Sequence, residues 1–173
     1  LYEFITASLD NVKVFVSESE KIYCKKAFIY TGNRSRIINN GVNQQKIKIF
    51  SENQETSPEK NKKINIISVC RFVKQKNIED IIKIAEIINY ANFIIIGDGP
   101  QFKYIQSKIF KSKLNNINLL GRKLNVMQHL YKSDIFLSTS LYEGLPISIL
   151  EAMSIGLPIV AVSYTHLRAH ETD

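Results

Sequence analysis

Cysteine, histidine and long apolar runs are all scarce in this sequence of 173 residues. The two cysteines, Cys24 and Cys70, stand far apart with no metal-ligand spacing around them, which excludes a disulfide scaffold and a zinc module. The three histidines, His129, His166 and His170, form no convincing set of metal ligands. No apolar run approaches the roughly 18 residues that a membrane-spanning helix needs. We therefore expect neither a metal site nor a membrane span in this chain.

Several motifs that would point to other enzyme classes are missing. No phosphate-binding loop of the GxxxxGK[ST] type occurs, and no serine stands in a strand-to-helix elbow between the required glycines. The glycine-rich turn at residues 97–100 (GDGP) lacks the three spaced glycines of the dinucleotide fingerprint. These absences argue against a P-loop protein and against a serine hydrolase of the α/β type.

The composition is that of a globular protein with a modest excess of positive charge. Hydrophobic residues make up 45% and charged residues 23%, which provides a core and excludes global disorder. Lysine and arginine number 23 against 16 acidic residues, so the formal charge is 23 − 16 = +7. The cations are scattered, and the densest basic stretch, residues 59–63, has no interleaved aromatic residues. We expect mostly solvated surface lysines, with a mild attraction for acidic ligands or an anionic membrane surface, and no nucleic-acid partner.

From residue 64 onward, strand and helix patterns alternate. The strands are mostly apolar throughout, which is typical of a parallel sheet that is covered by helices on both faces. The pattern predicts strands at residues 64–69, 92–96, 116–120, 134–137 and 158–162. It predicts four helices. The first spans residues 77–88 and the third spans 126–131. The second begins with Pro100 at N1 and has an apolar face of Phe102, Ile105, Ile109 and Phe110, and the fourth runs from Pro146 to about 155 with Gly156 at C′.

The first part of the chain has shorter elements. Residues 11–16 and 36–38 are strand-like, and Ser17 with Glu20 forms a capping box for a helix that runs to about Phe28. We expect residues 44–63 to be a polar linker or crossover.

Ligands of open parallel sheets bind beyond the carboxyl ends of the strands, so the strand-to-helix turns are where chemistry is expected. Arg71 and Lys76 follow the first buried strand of the regular part, where two cations near a helix start suit a phosphate or diphosphate. Gly97 and Gly99 permit a close backbone approach to a ligand. Gly121 and the cations that follow it lie at the same edge. Surface charge and ordinary turn chemistry remain the alternatives at each of these turns.

The turn at residues 140–146 (SLYEGLP) is the most informative. Glu143 precedes Gly144, and the backbone N–H groups at the following helix start favour an anion. Glu151 lies about a turn and a half beyond Pro146, where a carboxylate can accept hydrogen bonds from the vicinal hydroxyls of a ribose. Favourable interaction with the helix dipole is the alternative explanation for Glu143.

These turns, taken in order, resemble the carboxyl-terminal half of a family 4 glycosyltransferase with the GT-B fold. The resemblance covers roughly residues 12–162, and the spacing of Glu143 and Glu151 is similar to the Glu, seven residues, Glu motif of the family. The matching segments are residues 40–43 (NGVN), 68–77 (SVCRFVKQKN), 97–100 (GDGP), 120–122 (LGR), 140–156 (SLYEGLPISILEAMSIG) and 157–162 (LPIVAV).

The resemblance implies a sugar transfer from a nucleotide-diphosphate sugar, with retention of anomeric configuration, to a glycan or lipid-linked acceptor in cell-surface polysaccharide synthesis. Arg71 and Lys76 would bind the diphosphate and stabilise the charge on the departing nucleotide, without a metal or other cofactor. Glu151 would bind the ribose, and Glu143 would contact the transferred sugar. The backbone amides of Gly144 and Leu145 would lie near that sugar, while Gly97, Gly99, Gly121 and Arg122 would line the nucleotide pocket.

The same resemblance sets the expected domains. It implies the end of an acceptor-side domain at residues 1–43, the linker at 44–63, an incomplete Rossmann-like nucleotide-sugar domain at 64–162 and a non-native tail at 163–173. A chain cut in this way is expected to be an inactive fragment, since the catalytic cleft needs both domains. The complete enzyme would work in the cytoplasm, at the inner membrane face where it associates peripherally.

The chain departs from the family pattern at two places. Cys70 replaces a common glycine before the arginine, and Asn77 stands where a glycine often follows the lysine. A nucleotide-binding module without transferase activity would share all of these turns, so that alternative stays open. The base, the sugar and the acceptor are not determined by these residues.

Overall fold

The computed structural model describes residues 12–26, 34–43 and 63–161. They fall into two units, of which the first holds residues 12–26, 34–41 and 144–147. The second holds residues 42–43, 63–143 and 148–161. The predicted linker and tail lie outside the described residues except for Lys63, so their boundaries stay predictions.

The first unit contains two short parallel strands and one helix. Strand β1 (Lys13–Phe15) pairs with β2 (Ser35–Ile37), and α1 spans Glu18–Lys26. The Ser17 hydroxyl accepts a hydrogen bond from the Glu20 N–H at 3.1 Å, which confirms the predicted cap. The Glu20 carboxylate accepts from the N–H of Val16 at 2.9 Å, one residue before the position that the capping box predicts. The predicted continuation of α1 to Phe28 falls on residues that are not described.

The second unit is built on a five-stranded parallel sheet. Its strands are β3 (Asn65–Val69), β4 (Asn92–Ile96), β5 (Ile117–Gly121), β6 (Ile135–Ser138) and β7 (Ile159–Ala161). They lie in the order β5-β4-β3-β6-β7. All five strands were predicted from their apolar runs, although Val162 at the end of the last one is not described.

Helices cover both faces of this sheet, as predicted. They are α2 (Ile78–Ile87), α3 (Phe102–Ser112), α4 (Val126–Tyr131) and α5 (Ile147–Ser154). Ile66 packs in one buried cluster with α2 and α3, while its neighbour Ile67 packs in a second cluster with α4 and α5. Because successive side chains of a strand point to opposite faces, this division explains why the strands are apolar along their whole length. The expected α/β, Rossmann-like architecture is therefore confirmed.

Two details of the prediction for α3 are wrong, and Pro146 lies one residue before the start of α5 at Ile147. Pro100 is not at N1, because α3 begins at Phe102 with Gln101 as its cap. The turn before it is bonded to the turn that follows β3, since the carbonyl of Phe72 accepts a hydrogen bond from the Gln101 N–H at 3.0 Å. Phe110 is 84% exposed, whereas Ile109 is buried. At 3.6 residues per turn the next residue lies about 100° around the helix, which takes Phe110 off the buried face.

The end of α5 follows the prediction. Gly156 has φ 75°, its N–H donates to the carbonyl of Met153, and the Leu157 N–H donates to the carbonyl of Ala152. These two bonds form a Schellman motif with Gly156 at C′.

Within the described ranges, no helix is long and apolar enough to cross a bilayer.

The chain reverses its direction of travel across the sheet at β3. From β3 it moves outward to β4 and β5, and then returns to place β6 on the other side of β3. In open parallel sheets such a reversal leaves a crevice beyond the carboxyl ends of the two neighbouring strands whose connections run in opposite directions, here β3 and β6. The turns after β3 and β6 therefore meet at the place where a ligand is expected.

Candidate functional site

A cleft of about 540 Å³ opens at the carboxyl ends of β3, β4 and β5. It is lined by Val69, Cys70, Arg71, Ile96, Gly97, Asp98, Gly99, Arg122, Lys123 and Val126. Four of the predicted site residues therefore share this cleft: Arg71, Gly97, Gly99 and Arg122.

The floor of the cleft is backbone, packed as closely as glycine allows. A Cβ atom on Gly97, whose φ is 141°, would lie 1.8 Å from the carbonyl oxygen of Cys70. A Cβ on Gly99 would lie 2.7 Å from the carbonyl oxygen of Phe72. The Gly97 N–H donates to the carbonyl of Gly121 at 3.0 Å, which joins the end of β4 to the end of β5. The glycines are thus required by the approach of one turn to another, and not by turn conformation alone.

The rim of the cleft carries an excess of positive charge. Arg71, Arg122 and Lys123 are exposed and line it, whereas Asp98 is the one carboxylate among its lining residues. The Asp98 carboxylate accepts a hydrogen bond from the Gly99 N–H at 2.7 Å. Guanidinium groups beside partly exposed glycine backbone suit an anionic ligand with several oxygen acceptors, such as a diphosphate.

A second, much smaller cavity lies beside the cleft, at the carboxyl ends of the paired strands β3 and β6. Its volume is about 10 Å³, which is room for roughly one water molecule. Its lining includes Lys76, Glu143 and the hydroxyl side chains of Ser68, Ser138, Thr139, Ser140 and Ser148. Lys76 Nζ forms an ion pair with a carboxylate oxygen of Glu143, and the two side chains are only 17% and 18% exposed. The sheet topology thus joins two predicted site residues that are 67 positions apart.

Cys70 lies in the wall between the two cavities. Burial raises the pKa of its thiol to about 12, a rise that nearby Lys76 opposes and Glu143 reinforces. A thiol with so high a pKa carries almost no thiolate at neutral pH and is a poor nucleophile. Cys70 is therefore a wall residue of both cavities.

Glu151 is half-buried on α5, and burial raises the pKa of its carboxyl group above the usual value. Among the residues that the structure describes, its carboxylate has no hydrogen-bond or ion-pair partner. Partial burial of an unpaired carboxylate costs free energy, which a hydrogen-bonding ligand would recover.

Glu151→Gln is therefore expected to stabilise the chain at pH 7 and to have no such effect below about pH 4. The raised pKa means that the folded chain holds this proton more tightly than the unfolded chain, so stability falls as the pH rises from about 4.5 to the folded value. Glutamine carries no charge, so the stability of the variant does not fall in this way as the pH rises. Urea unfolding at the two pH values measures it, with the exposed Glu86→Gln as the matched control. A gain of equal size at both pH values would contradict the assignment.

The structure also separates some residues that the sequence grouped together. Arg71 lines the cleft, whereas Lys76 faces the small cavity, and the two spaces share the walls formed by Val69 and Cys70. Gly144 and Leu145 belong to the first unit, in which the Asn40 side-chain amide donates to the carbonyl of Leu145 at 2.6 Å. None of these placements tests the roles assigned to the residues, which stay predictions.

Sequence reasoning missed two residues that bond the turn carrying Lys76 to the segment carrying Glu143. Thr139 is 5% exposed at the end of β6, and its hydroxyl lies 3.0 Å from the carbonyl oxygens of both Lys76 and Asn77. The side-chain amide of Gln75 donates to the carbonyl of Tyr142 at 2.7 Å. A hydroxyl residue that follows an apolar strand was a weak signal for Thr139, and nothing in the sequence marked Gln75.

A family model for glycosyl transferases group 1 matches residues 49–170 of the chain. The chain belongs to this glycosyltransferase family. The predicted resemblance is therefore confirmed at the level of the family and of its GT-B fold. In the described part of the chain, no group of three or more His, Cys, Asp and Glu residues could hold a metal ion. That finding does not test the expectation of a metal-free reaction.

Two curated relatives illustrate the likeness. An uncharacterised glycosyltransferase of Methanocaldococcus jannaschii is 29% identical over 92% of this chain and 41% of its own length. The alpha-monoglucosyldiacylglycerol synthase of Acholeplasma laidlawii is 31% identical over 87% of this chain and 41% of its own length. The chain thus spans about two-fifths of the length of these relatives.

Solved structures show the same fold. A TarM variant of S. aureus, in complex with fondaparinux, alpha-GlcNAc-glycerol and UDP, superposes with a TM-score of 0.72 at 25% identity, over 92% of this chain and 31% of that one. HepE of Anabaena superposes with a TM-score of 0.74 at 17% identity, over 97% of this chain and 49% of that one. At 17% identity the second likeness shows the fold alone.

Proposed function

We propose that this chain carries the donor-binding part of a glycosyltransferase that uses a nucleotide-diphosphate sugar. The observation that carries the proposal is the cleft at the carboxyl edge of the sheet, where cationic side chains surround closely packed glycine backbone. Membership of the glycosyl transferases group 1 family supports the reaction class. The complete protein would transfer the sugar with retention of configuration to a glycan or lipid-linked acceptor, in cell-surface polysaccharide synthesis.

The proposed roles follow from position and charge. Arg71 and Arg122 at the rim of the cleft, with Lys76 in the adjoining small cavity, would neutralise the diphosphate and the negative charge that develops on the departing nucleotide. Glu151 would accept hydrogen bonds from the ribose hydroxyls. Glu143 would exchange its contact with Lys76 for one with the transferred sugar.

Two relatives guide the choice of ligand and acceptor. The TarM complex contains UDP, which makes UDP the first nucleotide to test here. The Acholeplasma relative is named for a glucosylated diacylglycerol, which supports a lipid-linked acceptor. Work in the cytoplasm, at the inner face of the membrane, is part of the same proposal.

Calorimetric titration of the 173-residue chain with UDP, GDP and ADP tests the proposed donor site. We expect one nucleotide to bind, and Glu151→Ala to weaken that binding about tenfold or more, since a hydrogen bond to a charged group contributes about 1.5–3 kcal/mol. The 2′-deoxy form of the same nucleotide separates a ribose contact from a general loss, because Glu151→Ala would bind both forms equally.

Glu86→Ala, which removes an exposed carboxylate from α2, is the matched control and should leave the affinity unchanged. Equal loss of affinity for the ribose and deoxyribose forms would contradict the ribose contact of Glu151. A folded chain that binds none of the three nucleotides would contradict the donor site.

A further inference from the structure

The segment that carries Glu143 is attached along the turn that carries Lys76. The turn consists of a 3₁₀ element, Lys74–Lys76, and Asn77, and the attached segment is residues 139–143. The Leu141 N–H donates to the carbonyl of Gln75 at 2.8 Å. The Gln75 amide donates to the carbonyl of Tyr142 at 2.7 Å. Lys76 and Glu143, the next residue on each segment, form the ion pair.

At the other end of this attachment lies the Thr139 hydroxyl, which is shared between two backbone carbonyls. It lies 3.0 Å from the carbonyl oxygen of Lys76 and 3.0 Å from that of Asn77. A hydroxyl group has one proton, so this arrangement is a three-centre bond. Thr139 is 5% exposed, so water cannot readily replace the donor if the hydroxyl is lost.

The backbone of the turn explains why such a bond is needed. Asn77 is in the left-handed conformation, with φ 47° and ψ 46°. Asparagine tolerates this conformation better than most residues, yet it still requires support from its surroundings. The Asn77 side chain donates to a carboxylate oxygen of Asp80 at 2.6 Å, and the Thr139 hydroxyl donates to the carbonyls of Lys76 and Asn77.

We propose that Thr139 is a positioning residue for Lys76. Its hydroxyl fixes the direction in which the turn enters α2, and therefore places Lys76 Nζ against Glu143. The role in ligand binding rests on the proposed function, whereas the role in forming the ion pair does not. Thr139 touches no reacting group and acts only through Lys76.

The ion pair itself provides a test that needs no ligand. Urea unfolding of the whole chain, with Lys76→Met, Glu143→Gln and their combination, measures the coupling between the two side chains. We expect a coupling of about tenfold in the unfolding equilibrium constant, within the range for contacting residues. Repeating the cycle in the Thr139→Val background should reduce the coupling below about threefold, and the Thr139→Ser background should keep it.

Ser133→Ala is the matched control, because its hydroxyl is similarly buried but bonds to the carbonyl of His129. It should lower stability and leave the coupling intact. Coupling that persists in the Thr139→Val background, or that is lost equally in the Ser133→Ala background, overturns the proposal. If Thr139→Val does not fold, Thr139→Cys replaces it, because a thiol is only a weak donor. Coupling below about threefold in the Thr139→Cys background then supports the proposal, and coupling that persists there overturns it.

Titration with UDP extends the test to the ligand. Thr139→Val should weaken UDP binding in the wild-type background and have no further effect in the Lys76→Met background, because it acts through Lys76. Additive losses would mean a structural role and would overturn the proposal. A wild-type chain that does not bind UDP contradicts UDP as its nucleotide, and the unfolding cycle still decides the role of Thr139.

Discussion

Gly97→Ala is expected to destabilise the chain by on the order of 4 kcal/mol, which is a large part of the stability of an ordinary domain. The added methyl group would lie 1.8 Å from the carbonyl oxygen of Cys70, and the atom it meets is backbone that cannot rotate away. The positive φ of 141° adds strain for any residue with a Cβ. Overpacking and backbone strain each cost about 1–3 kcal/mol, and here they act together.

Gly121→Ala separates these two contributions. Gly121 also has a positive φ, 66°, but a Cβ atom there would meet nothing within 4 Å. We therefore expect only the conformational cost of about 1–2 kcal/mol. Urea unfolding of both variants measures the difference. Equal destabilisation would show that the close approach of β4 to the turn after β3 contributes nothing beyond backbone strain.

Lys76→Met is expected to weaken UDP binding about 100-fold, or about 2.7 kcal/mol. Lys76 would meet a diphosphate in a site that is only partly exposed, where a charged hydrogen bond is stronger than at the surface. The same change leaves the Glu143 carboxylate without its partner, so the stability of the chain should also fall. Calorimetric titration at a fixed ionic strength measures the binding.

The double variant Lys76→Met, Glu143→Gln separates binding from stability. It removes both charges of the pair, so it should recover the stability that Lys76→Met alone loses. It should not recover UDP affinity, because the cation that meets the diphosphate is still missing. Recovery of both properties would show that Lys76 serves the fold and not the ligand.

Much of the second unit could be predicted from the sequence, because burial on both faces of a parallel sheet leaves a simple pattern. The run Asn92–Ile96 was predicted to the residue, since β-branched side chains must fill both sides of a covered strand. Gly156 marked the end of its helix, since only the left-handed C′ position required a glycine there. Phe110 was misplaced, because an apolar residue one step from a buried one does not always share its face.

The candidate site was predicted as a set of residue types at the strand ends, and its arrangement was not. The sequence by itself determined the parallel α/β architecture, the glycines at the turns and the charged residues that follow the strands, because those depend on local periodicity and backbone conformation. Only the tertiary structure decided that β6 lies beside β3, which brings Glu143 to Lys76 and Thr139 beneath the same turn. It also placed Arg71 and Lys76 in different cavities. Strand order sets these contacts, and it depends on residues far apart in the chain that no local pattern relates.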